Sequence, residues 1–400
     1  MKPRFLDRTT PPHLATLILL SGVSALSMNV FLPSLPNMAE YFGTEYRLMQ
    51  LSVSVYLGFS ALMQLVIGPL SDRWGRRNIL LISLVVFLIA SIGTLLAPNA
   101  TVFLIFRMLQ AAVATAIALS RAIVRDMVDE KEAASMIAYV TLGMSIVPMI
   151  GPVVGGALDE WFGWKASFGL LTGLGAIVLW LVWADLGETM VRRPASFRAQ
   201  FRDYPELLTS PRFWGYVLST AFASGVFFAY LGGAPFIGTV IYGLTPSELG
   251  LYFGATGLGY AAGNYLAGRH STRLGVVRMI VYGNLSMAVG LGLQIFALAT
   301  GMWGAAGFFL PFLIVGLGNG LVLPNSNAGM LSVRPALAGT ASGLGGAIMI
   351  GGGALLSALA GAWLTAETGA WPLIIIMVLS LFGSFLSILL VIARNRRLGL

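Results

Sequence analysis

The chain has no cysteine, two histidines and very little charge. Without cysteine it can form neither disulfides nor thiolate metal sites, and this says little about compartment. His13 and His270 stand at the edges of apolar runs, without metal-ligand spacing. Charged residues make up 10% of the sequence, against about 25% in an ordinary soluble domain. No phosphate loop is present, because Gly343-Leu344-Gly345-Gly346 lies inside an apolar run and lacks the lysine that reaches a phosphate. No Ser-His-Asp arrangement stands out, and no cofactor, metal or enzymatic role is expected.

Hydrophobic residues make up 57% of the chain. A span needs about 20 mainly apolar residues, so the length holds roughly a dozen spans with short connections. We expect these near 14–34, 48–69, 78–97, 101–124, 134–157, 165–185, 213–236, 247–268, 277–299, 303–325, 337–361 and 371–393. The basic start (Lys2, Arg4, Arg8) and apolar run from Leu14 superficially resemble a signal peptide, but the apolar character continues to Leu32, as in an uncleaved first helix. The 49 glycines suit close helix packing in lipid.

The net charge of +8 is not a nucleic-acid patch, because lysines and arginines fall in short clusters between apolar runs. With the N-terminus inside, 20 of the 24 fall in inner loops and tails, and only Arg47 and Lys165 fall outside. The positive-inside rule then predicts both termini in the cytoplasm of a bacterial cell, with the chain in the inner membrane. The longest hydrophilic stretch, 186–212, separates an expected six-helix bundle over 1–185 from a second over 213–400. Phe197, Phe201 and Tyr204 alternate with its charges, as in a surface-lying amphipathic helix or a solvated linker.

One charged turn organises the rest: Gly68-Pro69-Leu70-Ser71-Asp72-Arg73-Trp74-Gly75-Arg76-Arg77. Its skeleton recurs at an offset of 200, where Gly268, Ser271, Arg273 and Gly275 repeat Gly68, Ser71, Arg73 and Gly75. Gly143/Gly343, Met149/Met349, Ile150/Ile350 and Gly151/Gly351 match at the same offset, and Gln64 faces Asn264. Two parallel six-helix repeats with a site between them are one transporter plan.

The turn resembles the G-x-L-x-D-R-x-G-R-R/K signature of the major facilitator superfamily, through Gly68, Leu70, Asp72, Arg73, Gly75, Arg76 and Arg77. Such an ion cluster is expected to latch the halves in one state. The fourth span holds Arg107-Met108-Leu109-Gln110, similar to the R-x-x-Q motif of drug/proton antiporters. It continues into Ser120-Arg121-Ala122-Ile123-Val124-Arg125-Asp126, which resembles the A-R-A-I-V-R-D run of the bicyclomycin/chloramphenicol-resistance (Bcr/CflA) subfamily. Arg107 inside a span is a functional residue by default. Arg121 and Arg125, near the inner end, read as structural. Gly143, Gly151, Pro152, Gly155 and Gly156 resemble the antiporter motif G-x8-G-P-x3-G, with the first spacing one residue short. The resemblance implies an all-α exporter of twelve transmembrane helices in two six-helix pseudo-repeats, working by alternating access on a small amphipathic substrate.

The run Asn29-Val30-Phe31-Leu32-Pro33-Ser34-Leu35-Pro36 resembles the subfamily's D-M-Y-L-P-A-L-P, with Asn29 where an aspartate is usual. Asparagine cannot titrate. All 16 acids fall in loops or at span ends. Three readings of coupling stay open. Glu40 or Asp126 titrates, with Arg107 as the cation whose movement frees a proton; the substrate carries the exchanged charge; or the chain is a facilitator. The polar and aromatic residues on apolar spans form the expected cavity: Asn29, Tyr56, Gln64, Arg107, Gln110 and Tyr139 in the first half, and Phe227, Phe228, Tyr230, Tyr260, Asn264, Asn284, Asn319 and Asn325 in the second. With Arg107 as its one charge, the cavity suits neutral, zwitterionic or anionic compounds, and a monomer suffices. A metabolite or amino-acid transporter without proton coupling is the nearest alternative.

Overall fold

The computed structural model describes residues 4–128, 130–190, 205–334 and 337–398, which are almost wholly helical and contain no strand. Among them, twelve long segments follow one another. These are α1 Leu14–Tyr41, α2 Tyr46–Trp74, α3 Arg76–Leu95, α4 Ala100–Met127, α5 Glu130–Phe162 and α6 Lys165–Asp185. Then come α7 Pro211–Ile241, α8 Pro246–Leu274, α9 Val276–Thr300, α10 Gly304–Ser332, α11 Ala338–Trp363 and α12 Trp371–Leu398. Ten are long and apolar enough to cross a membrane, while α5 and α8 run 33 and 29 residues. An all-helical build is what lipid demands, since only internal hydrogen bonds satisfy the backbone there.

Three segments carry local faults with sequence causes. In α1, Pro33 and Pro36 withhold two amide donors, and the helix tightens into a 3-10 turn at Leu32–Ser34. In α7, Pro235 precedes a π turn at Ile237–Ile241. In α4, a 3-10 turn occupies Ala111–Ala114, directly after Gln110.

The two six-helix halves are built on one plan. The pattern of buried, intermediate and exposed residues along 76–90 repeats without change along 276–290. Lipid-facing Ile82, Val85 and Ile89 on α3 have their counterparts in Tyr282, Leu285 and Val289 on α9. The charged turn is shorter than the sequence suggests. Both α2 and α8 stay helical through Trp74 and Leu274, and a single glycine breaks each chain before the next helix starts. Gly75 sits at φ 90°, ψ 147° and Gly275 at φ 84°, ψ 151°, a region open to glycine alone. Long charged side chains reach water from a helix end, so the backbone need not unwind to expose them.

The halves differ in what surrounds that glycine. The carboxylate of Glu188, just beyond α6, accepts from the amides of Arg76 (2.9 Å) and Arg77 (3.3 Å). It thereby caps α3 in place of a residue within the turn. A side chain on Gly75 would overlap Glu188, whereas Gly275 has open space around it. Asp185, fully buried at the end of α6, accepts from the amides of Leu6 and His13 and from Thr16 Oγ1. The chain on both sides of α6's end therefore ties back to the first half. The amphipathic helix or linker expected around Phe197, Phe201 and Tyr204 lies outside the described residues.

The halves meet along two seams. In one, α5 packs on α8 through glycines: Gly250 faces the Pro152 carbonyl, Gly257 faces the Met149 side chain, and Gly156 faces Pro246 and Ser247. In the other, Gln64, Ala61 and Gln50 of α2 face Gly346, Gly351 and Gly361 of α11. Among the described residues, every hydrogen bond crossing between halves lies at the end opposite the arginine-rich turns. Tyr46 Oη donates to the Gly232 carbonyl (2.8 Å), and Gln50 Nε2 donates to Ser357 O and Oγ (2.8 Å each). The opposite end is closed.

Gly75→Ala imposes backbone strain of about 1–3 kcal/mol and also dislodges Glu188, whereas Gly275→Ala imposes the strain alone. Melting of the detergent-purified variants should show a clearly larger loss for Gly75→Ala. Equal losses would mean the Glu188 cap contributes nothing.

Candidate functional site

Between the halves, at mid-depth, lies a cavity of about 300 Å³. Its wall comes from eight helices, four in each half. These supply Ser24, Met28 and Asn29 (α1), Tyr56, Ser60 and Gln64 (α2), Ile117 and Arg121 (α4) and Pro152 (α5). Facing them are Ser224, Phe227 and Phe228 (α7), Phe253, Thr256 and Tyr260 (α8), Asn319 and Leu323 (α10), and Met349 and Ile350 (α11). No residue of α3, α6, α9 or α12 reaches it. The wall is largely apolar and aromatic, with hydroxyls and amides spaced around it, as small-molecule sites are.

Seven of the residues expected in the cavity line it: Asn29, Tyr56, Gln64, Phe227, Phe228, Tyr260 and Asn319. Asn29 Nδ2 donates to the Ala25 carbonyl, and its Oδ1 is buried without a protein partner. Asn319 Nδ2 donates to the Ala223 carbonyl (3.1 Å), fixing α10 to α7, and its Oδ1 is likewise unpartnered. Phe228 lines the wall beside Phe227.

Arg107 does not line the cavity. It is completely buried behind Tyr56 in the first half. Its Nη1 donates to Gln110 Oε1 (2.8 Å) and Ser27 Oγ (3.3 Å), Nη2 to the Ser27 carbonyl (2.7 Å), and Nε to the Ser52 carbonyl (3.3 Å). The guanidinium carbon lies 4.4 Å from the Phe31 ring centroid and 4.1 Å from that of Tyr56. Gln110 Nε2 passes the network on to Ser91 Oγ. The R-x-x-Q spacing places Arg and Gln one turn apart on one face, so the amide oxygen meets the guanidinium. Every partner is neutral.

The remaining expected residues sit elsewhere. Tyr230 is buried in the second half, stacked on Phe312 at 3.7 Å. Asn284 accepts from Ser384 and ties α9 to α12. Asn325 bonds back to the Leu321 carbonyl, and Asn264 to that of Tyr260. Tyr139 is exposed. Asn284, Asn325 and Asn264 meet the local rule that a polar group in a span needs a partner, and each partner lies within one half, whereas the Tyr230 hydroxyl is buried without one.

The exporter-like glycines are contact points rather than wall. Gly155 fits against the Val30 carbonyl, Gly151 near Leu26 and Asn29, and Gly156 against α8. The surroundings of Gly143 lie outside the described residues. In the charged turn, Arg76 pairs with Asp72 (2.6 Å) and Asp126 (3.2 Å) and bonds Ser71, while Arg77 donates to the carbonyls of Leu186 and Trp183. Arg73 is exposed, and Gly68 has open space around it. All these pairs stay within the first half. Asp126 is thereby engaged with Arg76, and Glu40 is exposed at the closed end.

One wall residue read differently in the sequence. Arg121 lines the cavity instead of serving only the span end, and it is the wall's one charged residue among those described. Glu188, the cap of α3, also went unmarked. An arginine one helical turn short of an exposed arginine is the available signal for the first; nothing local marks the second.

The model of the Major Facilitator Superfamily matches residues 17–352. A chloramphenicol resistance protein of Pseudomonas aeruginosa is 32% identical over 378 residues, 90% of this chain and 87% of that one. A bicyclomycin resistance protein homolog of Haemophilus influenzae is 24% identical, over 88% of this chain and 89% of that one. The MFS-type transporter YdgK of Bacillus subtilis is 34% identical over 63% of this chain and 64% of its own. Among solved structures, a bacterial homologue of the human lysosomal transporter Spinster, inward-facing and occupied, shares the fold at TM-score 0.70 and 16% identity, over 96% of each chain. This twelve-helix membrane protein belongs to the Major Facilitator Superfamily, alongside the bicyclomycin and chloramphenicol resistance proteins.

Proposed function

We propose that this chain is a secondary transporter that exports small amphipathic compounds across the bacterial inner membrane by alternating access, as a monomer. The observation that carries this reading is the cavity. It is walled by both halves, closed at one end by bonds between them, and complete within one chain. The substrate class is neutral to anionic, because the wall carries Arg121 and no carboxylate. The resistance relatives support export of drug-like compounds, and phenicols, which are small and neutral, fall within that class. The halves as functional units are 1–185 and 213–400, joined by 186–212 on the cytoplasmic side. The arginine content of the turns supports a cytoplasmic position for their end. The cluster of Asp72, Arg73, Arg76 and Arg77, with Gly68 and Gly75, serves as the latch of that end.

A second reading is favoured by one observation. Asn29 stands on a wall without any acid, so proton coupling needs a carboxylate elsewhere. Glu40 and Asp126 are the candidates, with Arg107 as the cation in the same half. If neither titrates during transport, the chain is an uncoupled metabolite or drug facilitator.

Sidedness is directly testable because the chain has no native cysteine. Glu45→Cys should react with an impermeant thiol reagent on intact cells, and Arg269→Cys only after lysis. The reverse pattern would overturn the orientation.

Export is checked in a drug-sensitive bacterium lacking its main pumps. Cells expressing the chain should accumulate less phenicol than controls, and an uncoupler should abolish the difference if coupling to protons holds. Unchanged accumulation of phenicols, dyes and amino acids alike would sink the export reading.

Asn29→Asp puts a titratable group on the wall. Efflux of a lipophilic cation such as ethidium should rise by about tenfold, the factor given by about 1.4 kcal/mol, and should acquire a pH dependence. No gain would show that residue 29 is not in contact with the transported molecule.

A further inference from the structure

We infer that Arg121 is the anchor for an acidic group on the transported molecule, so that the cavity selects amphipathic organic anions, carboxylates above all. This deepens the export reading and rests on it.

Among the described arginines, Arg121 and Arg212 each have a buried Nε without a hydrogen-bond partner, and of these two only Arg121 lines the cavity. Arg107 has all its nitrogens committed to neutral partners, and Arg76, Arg77 and Arg334 are bound to carboxylates or carbonyls. Arg121 differs from these. Its Nε is buried with no hydrogen-bond partner, and among the described residues no side-chain nitrogen of Arg121 donates to a protein acceptor. Its neighbours do not neutralise it. Tyr260 faces it from α8, and Arg125 adds a like charge one turn on. The nearest acid in sequence, Asp126, is held by Arg76. Nor does the side chain escape to water at the basic end. Arg125 is exposed there, whereas Arg121 stays mostly enclosed and lines the cavity.

A guanidinium removed from water without an acceptor is an unmet demand for one, and a carboxylate meets it best, with two parallel hydrogen bonds. The rest of the wall suits the remainder of such a molecule. Phe227, Phe228 and Phe253 offer apolar faces, while Tyr260 and Asn319 offer polar atoms from the other half. A bound anion would therefore touch α4 of the first half and α8 of the second at once. A cationic molecule would meet Arg121, with Arg107 behind Tyr56, and no compensating acid on the wall.

The test uses three probes with one apolar body: 2-naphthoate, 2-naphthamide and 2-naphthylmethylammonium, titrated against the full-length protein in nanodiscs. The wild type should bind the carboxylate at least about tenfold more tightly than the amide, and the ammonium most weakly. Arg121→Gln should abolish the preference while leaving amide binding within about twofold, and Arg121→Lys should keep part of it. Equal binding of carboxylate and amide by the wild type overturns the inference whether or not a variant folds, and so does a ratio unchanged in Arg121→Gln. Efflux of neutral compounds without such a preference overturns this inference alone. Carboxylate preference in a protein that exports nothing overturns the export reading alone. A wild type that binds none of the three overturns both.

Discussion

The first half is assembled around a permanent positive charge with no counter-ion. Burying a guanidinium costs of order several kcal/mol even after the protein relaxes. Arg107 offsets this through hydrogen bonds to Ser27, Ser52 and Gln110 and through the faces of Phe31 and Tyr56. Each desolvated cation–π contact contributes about 2 kcal/mol. Those partners sit on α1, α2 and α4, so the charge can be satisfied only if three helices hold their positions together. The 3-10 turn that follows Gln110 lies where α4 has to keep this geometry and still carry Arg121 onward. Tyr56 belongs to two structures at once, since one face covers Arg107 and the residue also forms part of the cavity wall.

That arrangement decides the electrostatics of the site. A carboxylate beside Arg107 would cancel its charge and could bind or release a proton as that cation moved. This chain has Asn29 on the wall instead. The charge is left standing, dispersed over carbonyls and rings, and the cavity inherits a positive bias that Arg121 reinforces. Among the described residues, the C-terminal half has no buried equivalent of Arg107. Its core is held by aromatic stacking of Tyr230 on Phe312 and by amide and hydroxyl bonds such as Asn284 to Ser384. The duplicated plan thus keeps its backbone and lipid-facing surface while the polar interior diverges.

Segment number and the repeat were legible because they depend on composition and spacing alone, whereas the turn read over 68–77 is a single-glycine break. An apolar run of spanning length has few alternatives in lipid, and an offset of 200 can be counted. The Arg107–Gln110 pair was legible because helical spacing brings its members together. What a side chain faces was harder to read. Arg107 and Arg121 are fourteen residues apart, about 21 Å along a helix and within roughly 40° of the same face. One is sealed behind Tyr56 and the other opens to the cavity, which depends on where neighbouring helices part. Tyr230, Asn284 and Asn325 carry the same local signal as Tyr260 and Asn319, yet pack within one half. Glu188 could not be read at all, since its partners are amides more than a hundred residues away.

The contrast between the seams and the bonds that close them bears on how the molecule moves. Along α5 and α8, glycines meet backbone carbonyls and the Met149 side chain, so sliding or rocking breaks little. The closed end is held by Tyr46 and Gln50, whose bonds are worth about 0.5–1.5 kcal/mol each in net terms. Their sum is comparable to the few kcal/mol that separate two populated states. A ligand shifts such an equilibrium only by its differential affinity for the two states. An anion held by Arg121 on one half and by Tyr260 or Asn319 on the other supplies that difference, because it draws together the walls that the Tyr46 and Gln50 bonds do not reach. The opening of one end and the closing of the other then become alternatives of similar energy, chosen by what the cavity contains.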